Sequence, residues 1–502
     1  MDTNARHDPQ IPRHAVATAL GVAAVSLLLN FITMSPGVHW YDSAEYAAKA
    51  IHLDIPHPPG YPLYIVVAHL FTWLPFEPAY SLSVLSALSA ATAAFLMTLA
   101  AFEFGVRPVA AAAGGLLLCA SFTFWDNTNV AESYGPGLAF AAAVFWLLLR
   151  ALRQGRPELA VVAALAAGIG TGAHLSIATL GLGFVVLVWF AGGTQAGERI
   201  RTLARCGLGA GAAIGFTYLL IPLSQPERLG DLEHWRWSWM MMSGGTFWNY
   251  FDRPTPDYPL LRAGRMLAAE ISLAGVALGA AGFVWLKRNH PIVAVAFALA
   301  IAGNVGFFLD FEAHDLEVFY LPSVLVLCLV VAAGVEWTAT LAGGLVLGTP
   351  DRAATLAAIA CLLVPVGVAA QNLERVDKSD DTSAHDFGME LIETLPEHSV
   401  FITFNTPDEW RRQSVWLYFR HGLGHRPDVR TLSDVSLHTL LCYIDAGHPA
   451  FAFVRHPDLI RTQFRFEEVE GTKLLRLRRS PAQGLLSPPT DYVPGGAPPV
   501  CR

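Results

Sequence analysis

The chain has 502 residues, of which 53% are hydrophobic and only 15% charged, and its formal net charge is -8. A soluble domain carries about 25% charged residues, so this composition excludes a disordered protein, a basic nucleic-acid binder and an ordinary cytosolic enzyme. With a mean hydropathy of +0.42, what remains is a polytopic α-helical membrane protein with no nucleic-acid partner.

Apolar runs begin near Ala15, Ala79, Val106, Tyr134, Glu158, Leu175, Arg205, Gly264, Pro291, Val318 and Ala353. A bilayer core asks for about 20 apolar residues per helix, and the reading is roughly eleven spans, themselves nearly free of charge. The first run exceeds the roughly 7–15 residues of a signal-peptide core and is expected to stay in the membrane. A shorter run, Tyr61 to Leu74, lies between Pro62 and Pro75. If it lies flat in the interface, all the basic clusters share one side. These are Arg6 and Arg13, then Arg150, Arg153 and Arg156, then Arg199, Arg201 and Arg205, then Lys287 and Arg288, then Arg352. The positive-inside rule selects that arrangement, with the N-terminus cytoplasmic and the C-terminal domain outside.

From Gln371 charges, His and Pro return. Two domains are expected: a membrane domain over 1–370 and a soluble domain over 371–502. The tail reads as α/β, with helices over His385–Thr394 and Asp408–Gly422 and strands over Ser399–Phe404, Ala450–Val454 and Lys473–Leu477. Cys119, Cys206, Cys328 and Cys361 read as packing residues. Cys442 and Cys501 fall in the outer domain, where a disulfide is permitted.

Polar residues gather in the connections on the outer side, and such convergence at one membrane face points to a site. In "HWYDSAEYAAKAIHLDIPHPPGYPLY", Asp42, Glu45 and Lys49 share one face of a short helix. Asp42-x-x-Glu45 is also a capping-box pattern that could simply start it. The "HPPGYP" that follows forces an extended turn through His57 and Tyr61, because proline fixes φ and restricts its predecessor. Glu132 and Tyr134 open a span, where an acid also suits the helix dipole. His174 lies where one span ends and the next begins, a place where a lone histidine is more often a packing residue than a ligand. In "HWRWSWMMM", His234 and Arg236 stand among tryptophans that suit an interfacial belt. "DFEAHDLEVFY" brings Asp310, Glu312, His314, Asp315 and Glu317 together before Tyr320. That set could hold a hard divalent cation, bind an acceptor or form a solvated turn, so the metal stays open, with none favoured.

An acidic residue after the first span followed by "HPPGYPLY" resembles a bacterial family of multispanning proteins related to the vertebrate O-mannosyltransferase of plexin-type IPT domains. That family belongs to the GT-C superfamily of polyprenyl-phosphate-sugar glycosyltransferases. The similarity continues in "NVAESYGPGLAF", "GTGAHLS", "YLLIPLSQPERLGDLEHW" and "DLEVFYLPS", and reaches the tail in "LPEHSVFITFNTPDEW" and "GHRPDVRTL". One departure stands out: relatives carry a P-x-R element where this chain has Ile221-Pro222-Leu223-Ser224.

The resemblance implies a GT-C-like fold with interfacial helices in the first outer loop, in a bacterial inner membrane with a periplasmic tail. It implies an inverting transfer of a sugar, mannose by similarity, from a polyprenyl-phosphate carrier to an acceptor hydroxyl, the acceptor staying open. Asp42 would take the acceptor proton, with Glu45 and Lys49 beside it. His57, Arg228, His234 and Arg236 would meet the phosphate, with Tyr61, Glu132, Tyr134, His174, Asp315 and Tyr320 as further donor or acceptor contacts. Composition and span number alone also fit a transporter or lipid-linked sugar flippase.

Overall fold

The computed structural model describes residues 11–251, 257–345, 349–403, 407–433, 437–453 and 464–479. Arg6 and Cys501 lie outside them. The chain forms two units, one of Met1–Pro36 with Leu53–Asp380, the other of Gly37–His52 with Asp381–Arg502.

The first unit is helical. In chain order it holds α1 (Arg13–Thr33), then, beyond α2 (Asp42–His52) of the other unit, α3 (Pro62–Phe71), α4 (Pro78–Glu103), α5 (Pro108–Ala120), α6 (Phe122–Asp126), α7 (Tyr134–Gln154) and α8 (Pro157–Gly170). After a 3-10 turn at Leu175–Leu180 follow α9 (Gly181–Ala191), α10 (Ala196–Tyr218), α11 (Leu220–Leu223) and α12 (Leu232–Met242). The unit closes with α13 (Pro259–Asn289), α14 (Pro291–Phe307), α15 (Leu316–Phe319), α16 (Leu321–Leu345), α17 (Pro350–Ala360) and α18 (Leu363–Val376). Pro62, Pro78, Pro108, Pro157, Pro259, Pro291 and Pro350 each open a helix. Proline has no N–H to leave unpaired there, and its fixed φ already suits the first turn.

The span count is lower than the eleven apolar runs suggest. Among the described residues, seven helices are long and apolar enough to cross a bilayer. The runs beginning near Val106, Glu158, Leu175 and Pro291 yield helices of 10–17 residues, as does the one inside Tyr61–Leu74. At about 1.5 Å per residue these fall short of a hydrocarbon core of about 30 Å. Proline at their starts and glycine or polar turns at their ends cut the helix before the apolar run is exhausted. The start of α1 packs against the end of α4 through Ala15, Ala19 and Leu99, so α1 finishes at the end where α4 begins.

Close helix approach rests on small residues. A Cβ on Gly334 of α16 would stand 1.9 Å from the Leu278 carbonyl, and one on Gly282 of α13 2.0 Å from that of Val330. Apolar side chains gain nothing from mutual contact over contact with lipid, so such backbone proximity and internal hydrogen bonds carry the packing. Asn304 Nδ2 donates to Thr179 Oγ1 at 2.8 Å and to the Phe319 carbonyl at 3.0 Å, while Ser323 Oγ donates to Asn304 Oδ1 at 2.6 Å. The long helices are not free of charge. Glu270 of α13 is buried and accepts the backbone N–H of Thr123 at 3.1 Å and its hydroxyl at 2.5 Å.

The second unit joins α2 to α19 (Ser383–Thr394), β1 (Val400–Thr403), α20 (Pro407–Leu417), β2 (Arg430–Ser433), α21 (Leu437–Asp445), β3 (Ala450–Ala452), β4 (Phe464–Glu468) and β5 (Leu475–Arg479). The expected helix to Gly422 stops at Leu417 and ends in a π turn, and the last expected strand starts two residues later, at Leu475. The sheet order is β2-β1-β3-β5-β4, parallel through β3 and antiparallel beyond it. Val400 sits between Arg430 and Ala450. Phe401, Trp416, Phe451 and Leu391 form the core on one face. Cys442 is disulfide-bonded.

At the end of the first unit where α4 and α7 finish, Glu103 meets Arg150 at 3.0 Å and Arg153 at 2.7 Å. Its side chain is 3% exposed, and removing one partner of a buried pair leaves the other charge uncompensated. Glu103→Gln is expected to lower stability by about 3 kcal/mol, read as a fall in the thermal unfolding midpoint in detergent.

Candidate functional site

The helix expected to carry the reactive carboxylate, α2, has Asp42 and Glu45 in its first turn and Lys49 and His52 in its last. That charge order complements the helix dipole. Glu45 is buried, whereas Asp42 and Lys49 are half-buried. Trp410 Nε1 of α20 donates to Asp42 Oδ1 at 2.9 Å. The preceding segment is held as well. Trp40 Nε1 donates to Ser383 Oγ at 2.9 Å, and the Arg411 guanidinium lies 4.2 Å from the Trp40 ring centre. His39 Nε2 lies 3.5 Å from Asp381 Oδ2. The His39 hydrogen bond, ahead of those from Ser383, holds the Asp381 carboxyl well below its ordinary range against the opposing effect of burial. At the other end of α2, His52 Nε2 donates to the His421 carbonyl at 2.9 Å.

In the first unit the proline-rich turn departs from the extended form expected, since Tyr61, directly before Pro62, is left-handed. Gly60 and Tyr61 take φ of 88° and 40°, and a Cβ on Gly60 would stand 2.9 Å from Ile221 Cδ1. Only glycine fits there without strain. The turn sets Tyr61 between two imidazoles, 5.3 Å from His57 and 5.5 Å from His174 by ring centres. His174 also packs 4.5 Å from Tyr134, and His57 stacks 6.1 Å from Phe247. His57, Tyr61, Tyr134 and His174 thus form one aromatic cluster.

His174 is 4% exposed. Its Nδ1 accepts the Ser176 backbone N–H at 3.2 Å and lies 2.8 Å from the Ser176 hydroxyl. That leaves the ring proton on Nε2, which has no hydrogen-bond partner among the described residues. Burial first, and His57 second, lower its pKa to about 3. It is a neutral donor held in a dry place. Nearby, the Glu132 N–H donates to Ser86 Oγ at 3.0 Å, and the same hydroxyl donates back to the Glu132 carbonyl at 3.1 Å. Burial, then the Glu132 charge, keep the Tyr64 hydroxyl well above the ordinary phenol range. Beside Tyr64 opens an apolar cavity of about 160 Å³ lined by Leu63, Val67, Leu85, Pro136 and Phe140.

The remaining expected residues are placed as follows. Arg228 is exposed and pairs with Asp231 at 3.0 Å, and Arg236 is exposed and pairs with Glu233 at 2.5 Å. His234 is fully buried, donates from Nε2 to the Pro222 carbonyl at 2.9 Å and stacks 5.6 Å from Trp237. Asp315 is exposed just before α15. Tyr320 is buried, its hydroxyl 3.3 Å from the Phe308 carbonyl. Within either unit taken alone, no three described His, Cys, Asp or Glu side chains bring ligand atoms close enough for one metal ion. Glu312 instead accepts Arg262 at 2.6 Å.

Two groups escape the sequence reading. Arg262 and Arg265 stand one turn apart at the start of α13 and line a 420 Å³ pocket with Tyr258 and Met266. A chain of contacts runs from Arg262 toward the aromatic cluster: its partner Glu312 donates its N–H to the Tyr250 carbonyl at 3.0 Å, and Tyr250 packs 5.6 Å from Phe247. Their signal is the Arg-x-x-Arg spacing at the mouth of a span. Trp410 is the other.

Residues 42–197 match the family model described as the Protein O-mannosyl-transferase TMEM260 N-terminal domain. The Protein O-mannosyl-transferase TMEM260 of Mus musculus is 27% identical over 237 residues, which is 45% of this chain and 32% of the mouse protein. ArnT from Cupriavidus metallidurans, solved bound to undecaprenyl phosphate, superposes with a TM-score of 0.57 at 14% identity, over 92% of this chain and 97% of its own. An Archaeoglobus fulgidus oligosaccharyltransferase tethered to an acceptor peptide gives a TM-score of 0.50 at 11% identity, over 83% of this chain and 63% of its own. The resemblance carried by the first-loop motifs therefore holds. The chain is similar to an O-mannosyltransferase over its N-terminal half, spans about a third of that relative, and has a GT-C fold in a multi-pass membrane protein.

The state of His174 has a consequence for stability. Its folded pKa is below the value of about 6.5 for an exposed imidazole, so below that pH the unfolded chain binds the extra proton. Stability contributed by the neutral ring is present above about pH 6.5 and is lost toward pH 3, at about 1.4 kcal/mol per pH unit. Thermal midpoints measured from pH 7 to pH 4 should fall, and His174→Gln should flatten that slope.

Proposed function

We propose that the protein is an inverting glycosyltransferase that moves a sugar, mannose by its similarity to the mouse mannosyltransferase, from a polyprenyl-phosphate carrier to an acceptor hydroxyl. The transfer takes place on the outer face of a bacterial inner membrane, with the tail outside and the N-terminus in the cytoplasm. The observation that carries this reading is Asp42: a half-buried carboxylate, aligned by an indole N–H, at the first position of the segment that matches the mannosyltransferase family.

In the reaction, the acceptor oxygen attacks the anomeric carbon as the bond from that carbon to the phosphate oxygen breaks. The phosphate leaves with the electron pair, and Asp42 takes the acceptor proton. Glu45 and Lys49, further along the same helix face, set the local charge. In the first unit, Arg262 and Arg265 hold the phosphate, and the neutral His174 Nε2–H supplies a hydrogen bond without adding charge. The apolar cavity beside Tyr64 takes the start of the lipid chain. ArnT was solved with undecaprenyl phosphate, a carrier lipid of the polyprenyl-phosphate class.

A transporter of lipid-linked sugars is the second reading, and Glu270 is the observation that favours it. Helix α13 leaves helical geometry at Ser272, with φ of 65°, next to a buried carboxylate, and broken helices with buried acids mark transport pathways. Against it, both Glu270 oxygens already accept from Thr123.

Purified protein given polyprenyl-phosphate mannose and candidate acceptors should transfer the sugar, and Asp42→Asn should reduce turnover at least about a hundredfold. Equal turnover by the variant would remove Asp42 as base, and flipping without transfer would establish the second reading. In the same assay Arg265→Ala should lower kcat/KM for the donor about tenfold with kcat itself reduced, the pattern of an interaction that strengthens as the phosphate departs.

A further inference from the structure

We propose that Trp410 is the positioning residue for Asp42, and that helix α20 of the C-terminal domain is what aims the reactive carboxylate; the inference rests on the reading of Asp42 as base. Consecutive residues of α20 grip alternate residues of the first loop: the Trp410 N–H holds Asp42 Oδ1 at 2.9 Å, and Arg411 covers the Trp40 ring at 4.2 Å. Tyr41 lies between the two gripped residues with a left-handed φ of 59°. A non-glycine residue keeps that conformation only where its surroundings enforce it. The two contacts therefore fix both the backbone entering α2 and the carboxylate at its first position.

The chemistry of the donor matters. An indole N–H donates and accepts nothing, so it cannot take the proton that Asp42 receives. By engaging one carboxylate oxygen it restrains the side chain within one staggered well, and misplacement of a reacting group by about 1 Å can cost about a hundredfold in rate. Helix α20 is itself anchored beside this contact. Glu409 is 1% exposed and pairs with Arg412 at 2.9 Å, and Trp416 Nε1 donates to Thr431 Oγ1 of β2 at 2.7 Å. The aim of Asp42 is thereby referred to the sheet.

The test is a cycle of Trp410→Phe, Asp42→Asn and the double variant in the full-length protein, with polyprenyl-phosphate mannose as donor, and Trp40→Phe as comparison. Trp410→Phe keeps an aromatic side chain and loses the N–H donor together with part of the ring. It should lower kcat about tenfold with KM for the donor unchanged and the thermal midpoint nearly so, and it should add nothing to the loss in the Asp42→Asn background. Trp40→Phe, which removes a contact at the loop rather than at the carboxylate, should lower the thermal midpoint and act additively with Asp42→Asn. An equal further loss from Trp410→Phe in both backgrounds would make Trp410 merely structural and overturn the proposal, as would wild-type turnover by Trp410→Phe. If Asp42→Asn alone turns over like wild type, the base assignment itself fails, and the positioning role falls with it.

Discussion

The donated N–H from Trp410 to Asp42 is the contact on which the functional reading turns, because it decides where the first-loop helix belongs. Residues 37–52 leave the membrane bundle in sequence yet fold as part of the C-terminal unit. The helix is held at its start by Trp410, Arg411 and Ser383 and at its end by His421. Alone, eleven residues would be a marginal helix in water. Packed into a domain with its own sheet and core, they become a rigid element, and rigid elements hold reacting groups more closely than loops do. On the proposed reading, the C-terminal unit has the task of holding the helix that carries Asp42.

The first unit solves a different problem, which is to keep polar groups paired where no water reaches. At one end of the bundle the solution is ionic: Glu103 with Arg150 and Arg153, and Arg107 with Glu336 through two parallel hydrogen bonds of 2.9 and 2.8 Å. At the other it is a mixed network in which Thr33, Trp125 and Asn129, with Lys378 paired to Asp126, tie the end of α1 to α6 and α18.

Much of this was legible in the residues. Proline at helix starts, the acidic first turn of α2 and the left-handed glycine in the proline turn act locally, so their pattern is visible without a fold. The number of spans was not, because an apolar run records composition, whereas a helix ends where the backbone is interrupted: α5 gives out at Ala120, short of the run's polar boundary at Asp126. Glu270 was hidden for a related reason, since its partner Thr123 lies 147 residues away. The Trp410 contact spans 368 residues, and nothing near either residue announces the other. Arg262 and Arg265 looked like the charged rim of a span until the pocket they share came into view.

The placement of charge on the donor side follows from where water can go. A departing phosphate needs positive charge, but a cation buried in a dry cluster is expensive, and burial accordingly lowers the pKa of His174. Arginine escapes that fate because its guanidinium stays charged in any protein setting. It is accordingly Arg262 and Arg265 that line the open pocket, one partly exposed and one exposed, while the dry position beside Tyr61 and Tyr134 holds an imidazole that donates without being charged. Had the two been exchanged, the buried arginine would have required a carboxylate partner and the exposed histidine would titrate near neutrality. The arrangement keeps one charged and one neutral donor available across the whole physiological pH range, which a transferase with an anionic leaving group requires and a simple lipid-facing bundle does not.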